Sequence, residues 1–116
     1  MPMPKTLLWL GSSRYDLQHF PTKARQRAGY ELYLVQCGLQ PSDWKSMPSI
    51  GAGVQEIRVH TELEHRVFYV AKFEEAIYVI HAFEKKSRKT AGYDLELAKS
   101  RLIKLLQRRR SKKIRL

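Results

Sequence analysis

Cysteine is almost absent, with Cys37 the only one among 116 residues. A single thiol excludes an internal disulfide and any cysteine-based metal site, a usage that fits a reducing cytosol. Long apolar runs are missing as well. No stretch approaches the roughly 20 residues needed to span a bilayer. The opening MPMPKTLLWLGSSR has a short apolar patch but no small-residue cleavage site behind a basic segment, so it reads as a strand and not a signal peptide. The histidines lack close ligand spacing and no acidic cluster accompanies them, so no metal site is expected. There is no phosphate loop, dinucleotide fingerprint or nucleophile elbow, and Gly51-Ala52-Gly53 is too short a signal to use. Carboxylates are scarce: 11 Asp and Glu face 22 Lys and Arg, a net charge of +11. Such an excess suits an acidic partner: nucleic acid, the ribosome, an anionic membrane or an acidic protein. Nucleic acid is favoured, because the basic residues recur at strand positions and not only in a tail.

What is present fits one domain over residues 1–116 with one core, and 43% hydrophobic residues are ordinary for a globular chain. Lys5–Leu10 reads as a short strand ended by Gly11, after which Ser12 or Ser13 can cap a helix running to about Phe20. Pro21 suits the first turn of a second helix that continues to Cys37, with Gly38 as its stop. Ala24, Ala28, Leu32 and Val35 recur at three and four residues and make its apolar stripe, while Lys23, Arg25 and Arg27 point elsewhere. Leu39 to Gly53 reads as a loop, with Trp44 and Met47 tucked under the domain edge. A last helix spans about Asp94 to Gln107 on a stripe of Leu95, Ala98, Leu102 and Leu105. The basic tail 108–116, RRRSKKIRL, is expected to fray.

The chain is organised around Val54–Thr90, which reads as three strands with short connections and therefore antiparallel neighbours. In the first, Ile57 and Val59 alternate with Arg58 and His60. In the second, Val67, Tyr69 and Ala71 alternate with Arg66, Phe68 and Val70. The third, Ala76–Phe83, is mostly apolar; Val79, His81 and Phe83 share a parity that leads to Lys85. One sheet face would lie on the core and the other would present cations. The expected class is α+β, an antiparallel sheet against an N-terminal helical hairpin and a C-terminal helix.

If the strand parities align, Arg58, His60, Arg66, His81 and Lys85 converge on one exposed face suited to a polyanion. Arginine can hold a phosphate in a bidentate fork and lysine supplies a point charge. The same set could cleave RNA without a metal or small-molecule cofactor: a base takes the 2′-hydroxyl proton, an acid protonates the 5′-oxygen, and cations stabilise the phosphorane. Each candidate also has a plainer reading. Arg58 and Arg66 could form a solvated cross-strand edge paired with Glu56 or Glu64. His81 could be a satisfied, half-buried side chain, and His60, His65 and His19 simple turn or surface residues. Lys85, Lys86, Arg88 and Lys89 crowd one loop, where they repel one another unless an anion is expected. Phe83 is core by default, with base stacking as the alternative.

Taken in order, WLGSSRYDLQHFP, ARQRAGYELYLVQCG, DWKSMPSIGAGVQEIRV, HRVFYVAKFEEAIYVIHAFEKKSRKT and DLELAKSRL resemble the phage-derived, HigB-type toxins of the RelE/ParE superfamily. The likeness runs from Trp9 to about Leu106 and is most specific at HAFEKKSRKT. It implies a cytoplasmic toxin of a type II toxin–antitoxin pair, a compact α/β fold, and cleavage of messenger RNA in the ribosome without metal. It also implies a cognate helix-turn-helix antitoxin. Carried over by residue, Arg58 and Arg66 match the strand arginines, and Phe83, Lys85, Lys86 and Lys89 match the Phe-x-Lys-Lys segment and its following lysine. Arg58 and Arg66 would clamp phosphate and Lys85 would act as a catalytic cation. Some relatives carry a catalytic tyrosine or histidine near the end, and RRRSKKIRL has neither. The acid–base role then falls to His81, His60 or a lysine. The competing readings are a ParE-like, non-nuclease inhibitor of DNA gyrase and a catalytically inactive nucleic-acid-binding module.

Overall fold

The computed structural model describes residues 3–114, with side chains through residue 112. In order, the elements are β1 (Leu7–Trp9), α1 (Ser13–Gln18), α2 (Thr22–Gln36), β2 (Trp44–Ser46), β3 (Val54–His60), β4 (Glu64–Val70), β5 (Ile77–Glu84) and α3 (Gly92–Ile114). The five strands form one mixed sheet in the order β1-β5-β4-β3-β2. The α+β class is as expected, with one correction to the sheet. β2 to β5 are antiparallel neighbours, but β1 joins the edge parallel to β5, Leu7 opposite Ile77. Parallel pairing needs a long crossover, and here everything between β1 and β5 in the chain serves as one.

α2 forms because its apolar residues fall on one stripe. Ala24, Ala28, Leu32 and Val35 are all buried, against Ile57, Val59, Val67 and Tyr69 of the sheet. Pro21 sits one position earlier than expected, as the residue before the first turn. Gly38 ends the helix at φ 81°: its amide donates to the Val35 carbonyl at 3.0 Å and that of Leu39 to Leu34 at 2.9 Å. Two orphan carbonyls are thereby satisfied, and a left-handed residue is what this closure requires.

The sheet is covered on both sides, which corrects the expectation of one core face and one open cationic face. α1 and α2 lie on the side of Ile57, Val59, Val67 and Tyr69. α3 lies on the other, burying Ala98, Leu102 and Leu105 against Phe68, Val70, Tyr78 and Ile80. The residues of that second side that remain partly or fully exposed are at its margins: Leu8, Lys45, Arg58, His60 and Glu64.

The expected common face of Val79, His81 and Phe83 is broken by a β-bulge. Tyr69 pairs with Val79 and Phe68 with His81, so Ile80 is an extra residue on β5. One extra residue shifts side-chain parity by one step. Val79 therefore points toward α2, while Ile80, His81 and Phe83 lie on the α3 side.

Three further expectations are corrected. The stretch read as a loop contains β2, paired with β3, and Trp44 is 38% exposed on that edge strand instead of tucked under. Neither Ser12 nor Ser13 makes a side-chain cap: the Ser13 hydroxyl donates to the Val79 carbonyl at 3.1 Å and that of Ser12 to Asp16 at 2.7 Å. α3 does not stop at Gln107 but runs on to Ile114, so residues 108–114 of the basic tail are helical. Residues 115 and 116 of that tail lie outside the described residues. No helix among the described residues is long and apolar enough to cross a membrane.

Candidate functional site

Antiparallel register places Arg58 of β3 directly opposite Arg66 of β4, and Arg66 opposite Phe83 of β5. One step deeper, Glu56 faces Phe68, which faces His81. One step outward, His60 faces Glu64, and the Lys85 amide donates to the Glu64 carbonyl at 2.7 Å. Arg58, His60, Arg66, His81, Phe83 and Lys85 thus share one side of the sheet. The bulge is what brings His81 and Phe83 there.

The face is not the open array of cations expected. Arg66 is only 7% exposed, and Glu56 is 3% exposed. The Arg58 Nε lies 3.0 Å from Glu56 Oε1, and the Arg66 Nε lies 3.9 Å from the same oxygen. Arg66 Nη1 also donates to Glu64 Oε1 at 2.9 Å and to the His65 carbonyl at 3.0 Å. Two guanidinium groups therefore converge on one buried carboxylate. The plainer reading, pairing with Glu56 and Glu64, is right about the partners, but Arg66 is buried where that reading had it solvated. A buried ion pair recovers its desolvation cost only with good geometry and full hydrogen bonding. Here the carboxylates fix both forks in place, while Arg58 keeps a side chain 35% exposed.

His60 is the reachable histidine, its side chain 51% exposed. Its Nε2–H donates to Asp43 Oδ2 at 2.6 Å and its Nδ1–H to Glu64 Oε1 at 2.8 Å. Carboxylates on both ring nitrogens favour the imidazolium, so the Asp43 and Glu64 hydrogen bonds raise its pKa above the ordinary value. Reciprocally, His60 and then Arg66 hold the Glu64 carboxyl below its usual range.

His81 is the opposite case, 4% exposed. Its Nε2–H donates to Asp94 Oδ1 at 2.7 Å, and Arg101 Nη1 donates to its Nδ1 at 3.4 Å. That network assigns the neutral, Nε2-protonated tautomer. Burial pushes its pKa down despite Asp94, and Arg101 adds to the effect. The His81–Asp94 contact is therefore a hydrogen bond from a neutral ring and not an ion pair. Arg101 also donates to the Ile80 carbonyl at 3.0 Å and to the Ser12 hydroxyl at 2.9 Å. The first of these satisfies the residue that the bulge leaves without a β4 partner.

Ser12, Asp94 and Arg101 were not singled out as functional from the sequence. A signal was available: Asp94 and Arg101 are seven residues apart, two helical turns, and so lie along the same side of α3 as the buried Ala98. Charged residues bordering a buried stripe need partners, and His81 is that partner.

The post-strand loop folds on itself. Lys85 Nζ donates to the Arg88 carbonyl at 2.6 Å and Ser87 Oγ to the Lys89 carbonyl at 2.7 Å. Lys86, Arg88 and Lys89 stand exposed beside the face. His65 points to the α2 side, 1% exposed, with its ring 4.2 Å from that of Phe20 and its Nδ1 without a partner. His19 is on the surface, stacked on Tyr15 at 4.0 Å. Among the described residues no group of three or more His, Cys, Asp or Glu is placed to hold a metal ion.

No curated protein matches the chain. The pattern defining the phage derived Gp49-like protein family matches residues 15–103, a span that includes every residue of the face and of the His81 network except Ser12. Such a family is consistent with a toxin role in a toxin–antitoxin system and is related to RelE-like toxins. With that match covering most of its length, the chain belongs to the phage-derived, Gp49-like protein family.

Proposed function

We propose that this protein is the toxin of a type II toxin–antitoxin pair and cuts messenger RNA on the ribosome without a metal. The observation that carries the reading is the directly opposed Arg58–Arg66 pair held on Glu56. Two oriented guanidinium groups beside a cationic loop suit the phosphorane that forms when a ribose 2′-oxygen attacks its own phosphate. Family membership supports the toxin role.

In this reading Arg66 and Arg58 grip the scissile phosphate, and Lys85 adds a point charge to its developing negative charge. His60, held as an imidazolium, protonates the leaving 5′-oxygen. Glu64, held as a carboxylate, takes the 2′-hydroxyl proton, so the pair exchanges one proton for another over the reaction. His81 positions: both its nitrogens are engaged, and it ties β5 to α3 beneath Phe83. Lys86, Arg88 and Lys89 bind ribosomal or messenger phosphates, and Phe83 borders the reacting nucleotide. A helix-turn-helix antitoxin with an acidic surface would cover this face.

The test is to incubate the protein with programmed ribosomes and map messenger ends. New ends inside the message support the reading. Intact message on ribosomes shown to hold the protein overturns it, and DNA breaks with lost supercoiling would indicate a gyrase inhibitor instead.

A further inference from the structure

A second concavity lies around the last residues of β5, between α1 and the start of α3. It has a volume of about 490 Å³, in the range of small-ligand sites. It shares Phe83 with the arginine face, and Phe83 stands directly across from Arg66. We propose that this groove receives one nucleobase of the bound RNA, and that its carboxylates select guanine. The proposal rests on the reading that the protein handles RNA, and it adds the base that is recognised.

Three observations carry it. Three aromatic side chains line the groove, Phe20 and Phe83 buried against His65 and His81, and Tyr93 75% exposed and open to a ligand. An exposed ring such as that of Tyr93 takes a splayed base by stacking. Its acceptors are unusual for this chain. Asp16 and Glu84 both line it, and among the described residues the half-buried Glu84 carboxylate has no hydrogen bond or ion pair. In a protein of net charge +11, an unpaired carboxylate repels phosphate and attracts N–H donors. Finally, His65 lines the same groove, opposite Glu84 in the strand register, and its buried Nδ1 has no partner. Buried polar atoms are rarely left so.

The chemistry picks the base. Guanine presents N1–H and N2–H side by side and can give both to one carboxylate. Adenine and cytosine each place a ring acceptor next to the amino group, where it would meet the carboxylate with like charge. Uracil offers one N–H between two carbonyls. A two-point contact of this kind discriminates by about 1–3 kcal/mol, or roughly fivefold to 150-fold.

The experiment uses the whole chain, nitrogen-15 labelled, and single-stranded hexanucleotides of uridine carrying one central G, A, C or inosine. The G oligonucleotide should bind about tenfold more tightly than the A and C ones, with inosine between. Its amide shifts should centre on Phe20, Glu84 and Tyr93. Glu84→Gln should bring G down to the level of A, while Arg66→Lys should weaken all four together and keep their order. Equal affinities in the wild-type chain, no binding of any oligonucleotide, or a guanine preference that survives Glu84→Gln would each overturn the pocket. The ribosome assay is separate. Guanine preference without messenger cleavage would remove the nuclease reading and keep the pocket, and cleavage without the preference would do the reverse.

Discussion

The Nε2–H of His81 and the Oδ1 of Asp94 meet at 2.7 Å, joining the strand just past its bulge to the first turn of the last helix. Asp94 also sits at the positive end of that helix, where a carboxylate is favoured. Since the ring is neutral, removing the carboxylate leaves a buried N–H with no acceptor. Asp94→Ala is expected to cost about 1–3 kcal/mol, and Asp94→Asn, which retains an acceptor, less. Urea denaturation of the two variants measures the difference; equal losses would show that the contact is not made.

The three perturbed histidines act in opposite directions with pH. Burial holds His65 and His81 below the ordinary value of 6.5. Their contribution is full above 6.5 and declines as pH falls below it, because the unfolded chain then binds protons that the folded chain refuses. His60 is raised by Asp43 and Glu64. Its contribution is full below the ordinary value and is lost as pH rises through its folded pKa. Urea midpoints measured from about pH 5 to 8 should therefore fall more steeply in His60→Gln than in the wild type as pH drops through the range just above 6.5, and run parallel to it on the acid side below 6.5. His65→Leu should make that side flatter. Parallel curves for all three proteins would contradict the assignment.

Arg58 and Arg66 should separate activity from stability. Arg58→Ala removes a partly exposed side chain and leaves Arg66 as the partner of Glu56. The fold should survive and messenger cleavage should fall by about 10² to 10³, as expected for losing one preorganised charge at a transition state. Glu56→Ala leaves two guanidinium groups without their shared carboxylate and is expected to cost about 3–5 kcal/mol. Thermal unfolding and end mapping on the same samples report both quantities. Full cleavage by Arg58→Ala would remove that residue from the site.

Gly11 has φ +52°, and a Cβ there would lie 2.4 Å from Arg101 Nε. The backbone needs the left-handed region, and Arg101 needs the space. Gly11→Ala should displace the guanidinium from the Ile80 carbonyl and from His81. Its signature is a changed His81 ring resonance together with a stability loss of about 1–3 kcal/mol. An unchanged ring resonance would show that Arg101 does not hold His81.

Lys86, Arg88 and Lys89 predict salt dependence. If each neutralises one phosphate, replacing one by Gln should lower the slope of log affinity against log salt by about 0.7 to 0.9, with little effect on unfolding. An unchanged slope would place that residue outside the interface. The measurement is a filter or fluorescence titration at several salt concentrations with ribosomes or single-stranded RNA.

Much of this fold could be read in the residues themselves. The four-residue recurrence of Ala24, Ala28 and Leu32 marked α2, and strict alternation marked β3 and β4. Turn chemistry held as well, with Gly38 closing α2 as its position suggested. The cationic residues of the face were identifiable because they recur at strand positions. Less legible was the edge strand β2, whose three residues are too few to show a period. β2 was hidden among Pro41, Pro48 and Gly51, and the extent of α3 was obscured by a tail whose charge resembled disorder.

The sequence by itself determined where helices and strands could form and which residue types would share a face, because those follow from periods of 3.6 and 2 along the chain. Tertiary structure alone decided three things. It set β1 parallel to a distant strand, inserted Ile80 as a bulge that turns His81 and Phe83 toward Arg66, and buried Arg66 beside the Glu56 carboxylate on the neighbouring strand. Each depends on contacts between residues far apart in the chain, where packing and charge pairing set the outcome and local pattern carries no information about the partner.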